Sequence, residues 1–394
     1  PMDVLDEPND EPLFPSCLPS TRTAPEPAVI TAAAAMLAAA KRPVIYVGDG
    51  VAHSGASAEL TRVAELLGAE VYGADTGDLE MDATHPLYRG TTGHMFGSAS
   101  LPVTRVGDAN LIVGTYMLPE VFPELGDIYA PGAKVVHFDL NAYEIAKNHR
   151  VDLGVVCDPR TALAALAAEL ERTMSAGQKA AAKGRSAALA AAAALKLAAE
   201  RKADEARRAG DKLCMEQFAC ALAEALPPGA VIFDEALTSS PPLTRAIPPK
   251  TPGSYFCTRG GSLGVGIPGA IGVKLLNPDK TVVGFTGDGG SMYTIQALWS
   301  AAHHGIGAKL VICNNGRYHL LDLNIGQYWK ERAIPGHDLP GAFGLGAPAI
   351  DFAALAGSMG VKAVRVEKPE EVRPAIESML AHDGPFLIDL VLKR

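Results

Sequence analysis

Two polar motifs at the ends of apolar runs are the most informative feature of the sequence. One run ends at Gly287-Asp288-Gly289 and the other at Asn314-Asn315, which places Asp288 and Asn315 27 positions apart. A helix is predicted between them, over residues 291–304. In a right-handed β-α-β unit the two strands are parallel, and their carboxyl ends lie at the same edge of the sheet. We therefore expect Asp288 and Asn315 to face one crevice.

The residue types at this crevice suit a divalent cation and a diphosphate. Mg²⁺ prefers oxygen ligands and is usually shared between one or two protein oxygens and phosphate groups. Asp288 offers a carboxylate, Asn315 an amide oxygen, and Arg317 a main-chain carbonyl. Gly289 and Gly290 have no Cβ, so phosphate can approach the start of the helix, where unpaired N–H groups favour an anion. The sequence therefore predicts a metal–diphosphate site.

The Gly-Asp-Gly sequence occurs a second time and provides an internal comparison. By itself it is more often a tight strand-to-helix turn with aspartate as the N-cap. Gly48-Asp49-Gly50 also follows an apolar run, but the residue 27 positions after Asp49 is Thr76, and no Asn pair is nearby. Asn314-Asn315 is the only Asn-Asn pair in the chain. We therefore assign the metal site to Asp288.

The elements that would position these residues alternate between strand and helix along the chain. Short apolar runs ending at Gly or Asp alternate with helical segments, which is typical of doubly wound parallel sheets. With 394 residues, the chain is too long for one ordinary core. We predict an α/β protein with two doubly wound parallel-sheet domains, over residues 28–173 and 213–394. Residues 174–212 are rich in Ala, Lys, Arg and Glu and are predicted to form a helical linker.

Composition argues against several classes of protein. Hydrophobic residues make up 48% of the chain and charged residues 20%, as in globular proteins. The net charge of −9 argues against a nucleic-acid partner and against anionic membranes. The six cysteines form no CxxC pair, which favours the reducing cytoplasm. The longest apolar stretches are alanine-rich and are not predicted to span a membrane.

The spacing from Gly287-Asp288-Gly289 to Asn314-Asn315 resembles the fingerprint of thiamine-diphosphate enzymes. Residues 255–272, which include Gly260-Gly261-Ser262-Leu263-Gly264, resemble the segment before this fingerprint in benzoylformate decarboxylase and its relatives. Three further segments resemble the central domain of those proteins: residues 42–50, 85–90 and 138–158. The resemblance covers nearly the whole chain. It indicates the central and C-terminal domains of the thiamine-diphosphate-dependent decarboxylase and acetolactate synthase superfamily, nearest to benzoylformate decarboxylase-like enzymes.

The resemblance implies roles for particular residues. It assigns Mg²⁺ binding to Asp288, Asn315 and the main-chain carbonyl of Arg317. It assigns contacts with thiamine diphosphate to these three and to Thr238, Ser239, Gly261, Leu263, Gly289, Gly290, Ser291 and Tyr318. Leu263 would lie under the cofactor and force its bent shape, unless it is an ordinary core leucine. Thr238 and Ser239 would touch the far end of the diphosphate, unless they only cap a helix; Glu235, at a strand end, could bond only to backbone groups.

One catalytic group of the family has no counterpart in this sequence. In the family, a glutamate on a separate pyrimidine-binding domain contacts the aminopyrimidine ring, and no acidic residue near the start of this chain matches its motif. Residues 1–27 contain seven prolines, and they resemble the end of that domain, with a strand at residues 1–5, followed by a linker. We therefore expect the glutamate to come from a preceding part of a longer protein or from a separate subunit. The resemblance also implies a homo-oligomer, usually a tetramer.

The resemblance constrains the reaction more than the substrate. Benzoylformate decarboxylase places a central-domain histidine in its active site, whereas the corresponding segment 114–122 contains none and offers Tyr116 and Glu120 instead. We predict a cytoplasmic, thiamine-diphosphate- and Mg²⁺-dependent 2-oxo-acid decarboxylase or carboligase, a carbon–carbon lyase. One alternative is an acetolactate-synthase-like carboligase with FAD in its central domain, although Gly48-Asp49-Gly50 does not continue as GxGxxG. The other is a non-catalytic cofactor-binding module.

Overall fold

Two parallel β-sheets, one in each half of the chain, carry the loops that hold the candidate residues. The computed structural model describes residues 2–8, 10–12, 14–74, 76–93, 95–118 and 120–392, except the side chain of Val4. Within these residues each sheet has six strands, and all neighbouring strands are parallel. The structure therefore confirms the predicted α/β class with two doubly wound parallel sheets.

The described residues of the first half of the chain form one sheet and seven helices. Its strands are β1 (Pro43–Val47), β2 (Glu70–Gly73), β3 (Tyr88–Thr91), β4 (Ala109–Val113), β5 (Lys134–Asp139) and β6 (Leu153–Val156). Its helices are α1 (Met2–Leu5), α2 (Pro27–Ala38), α3 (Asp49–Ser54), α4 (Ser57–Leu67), α5 (Gly97–Thr104), α6 (Pro159–Thr173) and α7 (Ala176–Arg208). The strand order is β3-β2-β1-β4-β5-β6. The order reverses between β1 and β4, where open α/β sheets have a crevice.

The second half forms the other sheet. Its strands are β7 (Val231–Glu235), β8 (Tyr255–Cys257), β9 (Val282–Gly287), β10 (Lys309–Asn314), β11 (Lys362–Val366) and β12 (Phe386–Val391), in the order β11-β12-β10-β9-β7-β8. Its α-helices are α8 (Met215–Ala225), α9 (Ser240–Ala246), α10 (Gly266–Leu276), α11 (Asp288–Ser291), α12 (Ala297–His303), α13 (His319–Glu331), α14 (Phe352–Ser358) and α15 (Val372–Leu380). Short 3₁₀ helices span Leu237–Ser239, Gly341–Phe343 and Pro369–Glu371.

The central strands are buried on both faces, which explains why they appear in the sequence as continuous apolar runs. All residues of β1, β4 and β10 are buried. Strands β9 and β10 are direct neighbours, with Cys313 opposite Gly287. Both strands therefore end side by side, and the residues that follow them lie at one edge of the sheet.

Helix α7 crosses from the first half to the second. Ser175 and Gln178 form a capping box at its start. Early in the helix, Ala182 packs so closely on Gly68 that a Cβ at Gly68 would lie 2.3 Å from the Ala182 carbonyl oxygen. Near its end, Asp204 accepts two hydrogen bonds from Arg245 of α9, at 2.6 and 2.7 Å. Although α7 has 33 residues, neither it nor any other described helix is long and apolar enough to cross a membrane.

Several elements differ from the sequence predictions. The helix predicted over residues 291–304 is divided into α11 and α12, and between them the Thr294 hydroxyl donates to the Gly264 carbonyl at 2.6 Å. The prediction of an N-terminal strand over residues 1–5 is wrong, because Met2–Leu5 is a helical turn. Pro1 lies outside the described residues. Strands β3, β6 and β8 were not predicted. All three lie at sheet edges and are only partly buried, so they lack a continuous apolar run.

Candidate active site

Asp288 is the first residue after β9 and is almost completely buried, with 4% of its surface exposed. Its Oδ1 accepts a hydrogen bond from the Gly289 amide at 2.8 Å. Its Oδ2 accepts from the amides of Gly316 and Arg317, at 2.6 and 3.2 Å. Burial raises the pKa of Asp288, and these three backbone donors oppose that shift because they favour the carboxylate. The side chain is therefore fixed in position by groups that favour its charged form.

Asn315 and Asp288 meet at one backbone N–H group. The Arg317 amide that donates to Asp288 also donates to Asn315 Oδ1 at 2.9 Å. Gly316, between Asn315 and Arg317, has a φ of +68°, and this conformation bends the chain back towards Asp288. A cavity of about 220 Å³ is lined by Asp288, Asn315 and Gly316 among others. The structure thus brings together the two side chains that the sequence placed in one crevice.

The donor set at this edge has the chemistry expected for Mg²⁺. It consists of one carboxylate, one amide oxygen and the Arg317 carbonyl, which accepts one hydrogen bond from the His319 amide and keeps a second lone pair. Such a set differs from a metal site built from several charged or imidazole side chains. The described residues contain no group of three or more His, Cys, Asp or Glu that could form a site of that kind. Hard oxygen donors with positions left for phosphate and water suit Mg²⁺.

Behind Asn315, a buried polar network supports the loop, and it was not predicted from the sequence. Asn314 Nδ2 donates to Asp389 Oδ1 at 2.9 Å, and Arg365 Nη1 donates to Asp389 Oδ2 at 2.7 Å. Asp389 is fully buried; burial raises its pKa, while Asn314 and Arg365 oppose the shift. The one available signal was an aspartate inside the apolar run of β12, and its partners lie on two other strands.

Gly289, Gly290 and Ser291 form the first turn after β9. Gly289 faces the Tyr318 ring so closely that a Cβ would lie 2.2 Å from Tyr318 Cε1. The Ser291 hydroxyl is buried and donates to the Asp288 carbonyl at 2.7 Å. Any contact of Ser291 with a diphosphate would therefore come from its backbone. The Tyr318 ring leaves no room for a side chain at position 289, which explains the glycine there.

Thr238 and Ser239 lie on the 3₁₀ helix that follows β7. With Asn315 they line a second cavity of about 700 Å³. Ser239 is the N-cap residue of α9, yet its side chain makes no capping hydrogen bond. The Ser239 hydroxyl therefore does not cap α9, and both residues lie beside the same loop as Asn315.

Leu263 lies in a loop between β8 and α10 and is 38% exposed, so it is not an ordinary core leucine. Gly261, two residues earlier, has a φ of +68°. The Glu235 carboxylate, fully buried at the end of β7, accepts from the amides of Gly264 and Gly266, both at 2.5 Å. Glu235 Oε2 also accepts from the Thr286 hydroxyl at 3.2 Å, so Glu235 bonds to backbone groups as expected, but not to them alone. Burial raises its pKa, and these donors again oppose the shift.

The central-domain segment predicted to face the substrate is described except for Pro119, which lies outside the described residues. The Tyr116 ring lies under Lys147 Nζ, 4.6 Å from the ring centre. Close by, His137 is buried and its Nε2 donates to the Thr115 carbonyl at 2.8 Å. Burial lowers the pKa of His137 to about 4. This histidine is therefore neutral and holds the segment in place from behind.

Asp49, the aspartate of the second Gly-Asp-Gly sequence, has other partners. Its Oδ1 accepts from the amides of Gly77 and Asp78 at 2.7 and 3.2 Å. Its Oδ2 forms an ion pair with Arg259 Nη1 at 3.1 Å. The N-cap of α3 is Gly48 rather than Asp49. Asp49 is thus a contact between the two halves of the chain, which the sequence did not indicate.

Comparison with known families gives the same division of the chain. Residues 30–166 match the central domain of thiamine pyrophosphate enzymes. Residues 239–390 match the C-terminal thiamine pyrophosphate-binding domain of these enzymes. The chain belongs to the thiamine pyrophosphate enzymes. Asp288 and Asn315 both lie in the C-terminal, cofactor-binding domain.

Relatives of known function include both branches considered above. A probable acetolactate synthase large subunit of Methanococcus aeolicus is 29% identical over 376 residues, which is 93% of this chain and 60% of the relative. Benzoylformate decarboxylase of Pseudomonas aeruginosa is 37% identical over 168 residues, 42% of this chain and 30% of the relative. Two of the acetolactate synthases match more than nine-tenths of this chain. The chain spans about 60% of the length of these relatives.

Solved structures share the fold. Thiamine diphosphate-dependent 4-hydroxybenzoylformate decarboxylase of Rhodococcus jostii RHA1 superposes with a TM-score of 0.75 at 24% identity, over 96% of this chain and 66% of that one. Benzoylformate decarboxylase of Polynucleobacter necessarius gives a TM-score of 0.76 at 20% identity, over 97% of this chain and 68% of that one. At these identities the likeness establishes the fold and leaves the substrate open.

Proposed function

We propose that this chain provides the metal- and diphosphate-binding part of a thiamine-diphosphate- and Mg²⁺-dependent enzyme that acts on 2-oxo acids, as a decarboxylase or carboligase. The observation that carries the proposal is the Arg317 amide, which joins the oxygens of Asp288 and Asn315. This one N–H group holds a carboxylate and an amide oxygen at the carboxyl edge of a parallel sheet, where such folds bind ligands.

Each part of the site has a separate task in this proposal. Asp288, Asn315 and the Arg317 carbonyl hold Mg²⁺, while Gly289 and Gly290, with Thr238 and Ser239 opposite, contact the diphosphate. Leu263 sets the angle between the two rings. When bound, thiamine diphosphate supplies the electron sink for the carbon that loses CO₂. The protein contributes position and charge.

The proton-transfer group is proposed to come from a pyrimidine-binding domain on a preceding part of the protein or on another subunit. Several large apolar side chains after α11 are exposed and would face such a domain. Met292 is 44%, Tyr293 61% and Trp299 56% exposed. Apolar patches of this kind usually mark an interaction surface. A homo-oligomer, tetrameric as the family resemblance implies, and a cytoplasmic location are part of the same proposal.

An acetolactate-synthase-like carboligase is the second candidate, supported by relatives that match along more than nine-tenths of this chain. FAD would then lie in the first sheet's crevice between β1 and β4. A cavity of about 520 Å³ opens there, lined by Gly50, Gly114 and the carboxylates of Asp139 and Asp158. Among the described residues, neither lysine nor arginine lines it. Flavin absorbance of the purified protein tests this candidate, and a colourless preparation that binds no FAD excludes it.

The proposal is tested by titrating the chain with thiamine diphosphate in the presence and absence of Mg²⁺, and by assaying the assembled enzyme. We expect binding that requires Mg²⁺ when followed by calorimetry. With a pyrimidine-binding domain supplied, CO₂ release from a panel of 2-oxo acids identifies the substrate. Analysis for condensed 2-hydroxy-ketone products distinguishes a carboligase. Binding without turnover under all these conditions indicates a non-catalytic module, and absence of Mg²⁺-dependent binding contradicts the proposal.

A further inference from the structure

The loop that carries Leu263, residues 258–264, is a tight turn that we call the wedge turn. The Ser262 amide donates to the Arg259 carbonyl at 3.1 Å. Gly260 and Gly261, the two central residues, have φ values of +61° and +68°. Positive φ at both central positions defines a type I′ turn, which disfavours side chains there. Leu263 therefore follows a turn whose shape is set by its backbone, and its position depends on what holds the two ends.

The C-terminal end of the wedge turn is held from within its own domain. The buried Glu235 carboxylate accepts from the amides of Gly264 and Gly266, and the Thr294 hydroxyl donates to the Gly264 carbonyl at 2.6 Å. A Cβ at Gly264 would lie 2.6 Å from Tyr293 Cβ, so the backbone is in close contact here. This end is rigid.

The N-terminal end is held by both domains. Within its own domain, the Thr258 amide donates to the Asp234 carbonyl at 3.1 Å. From the central domain, Asp49 Oδ2 pairs with Arg259 Nη1 at 3.1 Å, and the Gly77 carbonyl accepts from the Cys257 amide at 2.8 Å, at the end of β8. Asp49 Oδ1 accepts from the amides of Gly77 and Asp78, so the aspartate is fixed by its own domain with its second oxygen directed at Arg259.

We propose that Asp49 is a positioning residue: by holding Arg259 it fixes the wedge turn, and with it Leu263, relative to the cofactor. The inference rests on the proposed function of Leu263 and gives the second Gly-Asp-Gly sequence a role across the domain boundary. It connects the central domain, which holds none of the proposed metal or diphosphate ligands, to the geometry of the cofactor.

The surroundings of Asp49 require a positive charge. Asp78 is its neighbour, and Glu80 is 1% exposed with a buried Oε1 that has no hydrogen-bond partner. Burial raises the pKa of Glu80, and the charges of Asp49 and Asp78 raise it further. Arg259 brings a positive charge to this acidic group through its ion pair with Asp49. Because its side chain is 47% exposed, the ion pair adds little to global stability, and its loss leaves the chain folded.

Amide hydrogen exchange measures how substitution of Asp49 affects the wedge turn, and the measurement needs no bound cofactor. We expect Asp49→Asn to accelerate amide exchange in residues 258–263 by about tenfold or more, because the N-terminal end of the turn loses its charged contact with the central domain. Glu59→Gln is the matched control; it removes the charge from an ion pair with Arg160 at 3.0 Å inside the central domain, and it leaves exchange in the turn unchanged. Arg259→Gln should give the same acceleration, and the double variant no more than either single variant.

Turnover by the assembled enzyme provides the second readout. Asp49→Asn should lower kcat by about tenfold, because misplacement of a positioning group weakens the chemical step, while the dissociation constant of thiamine diphosphate with Mg²⁺ changes by less than about threefold. Asp49→Glu, which keeps the charge, should restore part of kcat. Unchanged exchange in the turn overturns the proposal, and so does faster exchange with unchanged kcat. If the wild-type chain does not bind the cofactor, the proposed function is contradicted, independently of the amide exchange measured in the turn.

Discussion

Asp288 is held by three backbone amides before any ligand is considered. Burial of the Asp288 carboxylate is unfavourable in free energy, and the hydrogen bonds from the three amides offset part of this penalty. The Arg317 amide also donates to Asn315 Oδ1, two residues before it, which is an Asx turn. This turn brings the Asn315 oxygen beside the Asp288 carboxylate, where the proposed metal would need both.

A charge-removing substitution tests this interpretation. Asp288→Asn keeps one oxygen that can accept from Gly316 and Arg317, so the loop remains in place, but it removes the anionic ligand. We expect the affinity for thiamine diphosphate with Mg²⁺ to fall by more than about tenfold, since even partners outside the ligand set change metal affinity by about 10–100-fold. Calorimetry measures the affinity. The control is Asp279→Asn on the exposed turn before β9; an equal affinity in both variants would contradict the metal site.

Leu263 is proposed to set the conformation of the cofactor and to take no part in proton transfer. We expect Leu263→Ala to reduce kcat by about tenfold or more, because the two rings of the cofactor lose their fixed approach. The metal and diphosphate contacts remain, so the dissociation constant should change by less than about threefold. Leu276→Ala, at a leucine that is 83% exposed, is the matched control. Wild-type turnover in the Leu263 variant would show that the side chain is only part of the surface.

Among the elements, those that hold the proposed metal ligands could be predicted from the sequence, and the reason is physical. Parallel strands buried on both faces appear as apolar runs, so β9 and β10 could be recognised, and the polar residues after them could be placed at one edge. The edge strands β3 and β6 have no such pattern. The Asn314–Asp389–Arg365 network joins three strands that are distant in sequence, and the Asp49–Arg259 pair joins two domains. Contacts of this kind depend on tertiary packing, which periodicity does not report.

The start of β10 contains a buried cation whose titration should be visible in stability. Lys309 Nζ donates to the carbonyl of Gly384 at 2.8 Å and to that of His382. Burial, reinforced by Lys274, lowers its pKa from 10.5 to about 8. Between these values the unfolded chain binds more protons at Lys309 than the folded chain does, so the contribution of Lys309 to the free energy of unfolding should rise with pH. The useful window is about pH 8 to 10, below the ionisation of unfolded tyrosines.

Denaturant unfolding across that window gives the measurement. We expect the wild-type midpoint to rise from pH 8 to pH 10, relative to Lys309→Met. The variant lacks the titrating group and leaves two carbonyls without their donor, so it should be less stable throughout, and its difference in stability from the wild type should grow with pH. Parallel pH profiles for the two proteins would show that Lys309 does not titrate in this range.

At the scale of the whole molecule, the site is shared between domains that have different tasks. The C-terminal domain holds every proposed ligand of the metal and diphosphate. The central domain contacts it through Asp49 and also through the neighbourhood of α13, where Phe122 packs on Tyr328 with ring centres 6.2 Å apart. Ser98 donates to Glu331 on the same helix. Helix α13 begins two residues after Arg317, so both ends of the proposed cofactor site are joined to the central domain.

This division of tasks leads to a prediction for residues 1–394 expressed alone. They should bind thiamine diphosphate and Mg²⁺ weakly and release no CO₂ from any 2-oxo acid, because the cofactor would be held at its diphosphate with its rings exposed to water. Supplying a glutamate-bearing pyrimidine-binding domain in trans should cover Met292, Tyr293 and Trp299, strengthen binding and start turnover. The assay is CO₂ release over a panel of 2-oxo acids, with a domain whose glutamate is changed to glutamine as the control. Turnover by residues 1–394 without any added domain would place the proton-transfer group within this chain and contradict the proposed division.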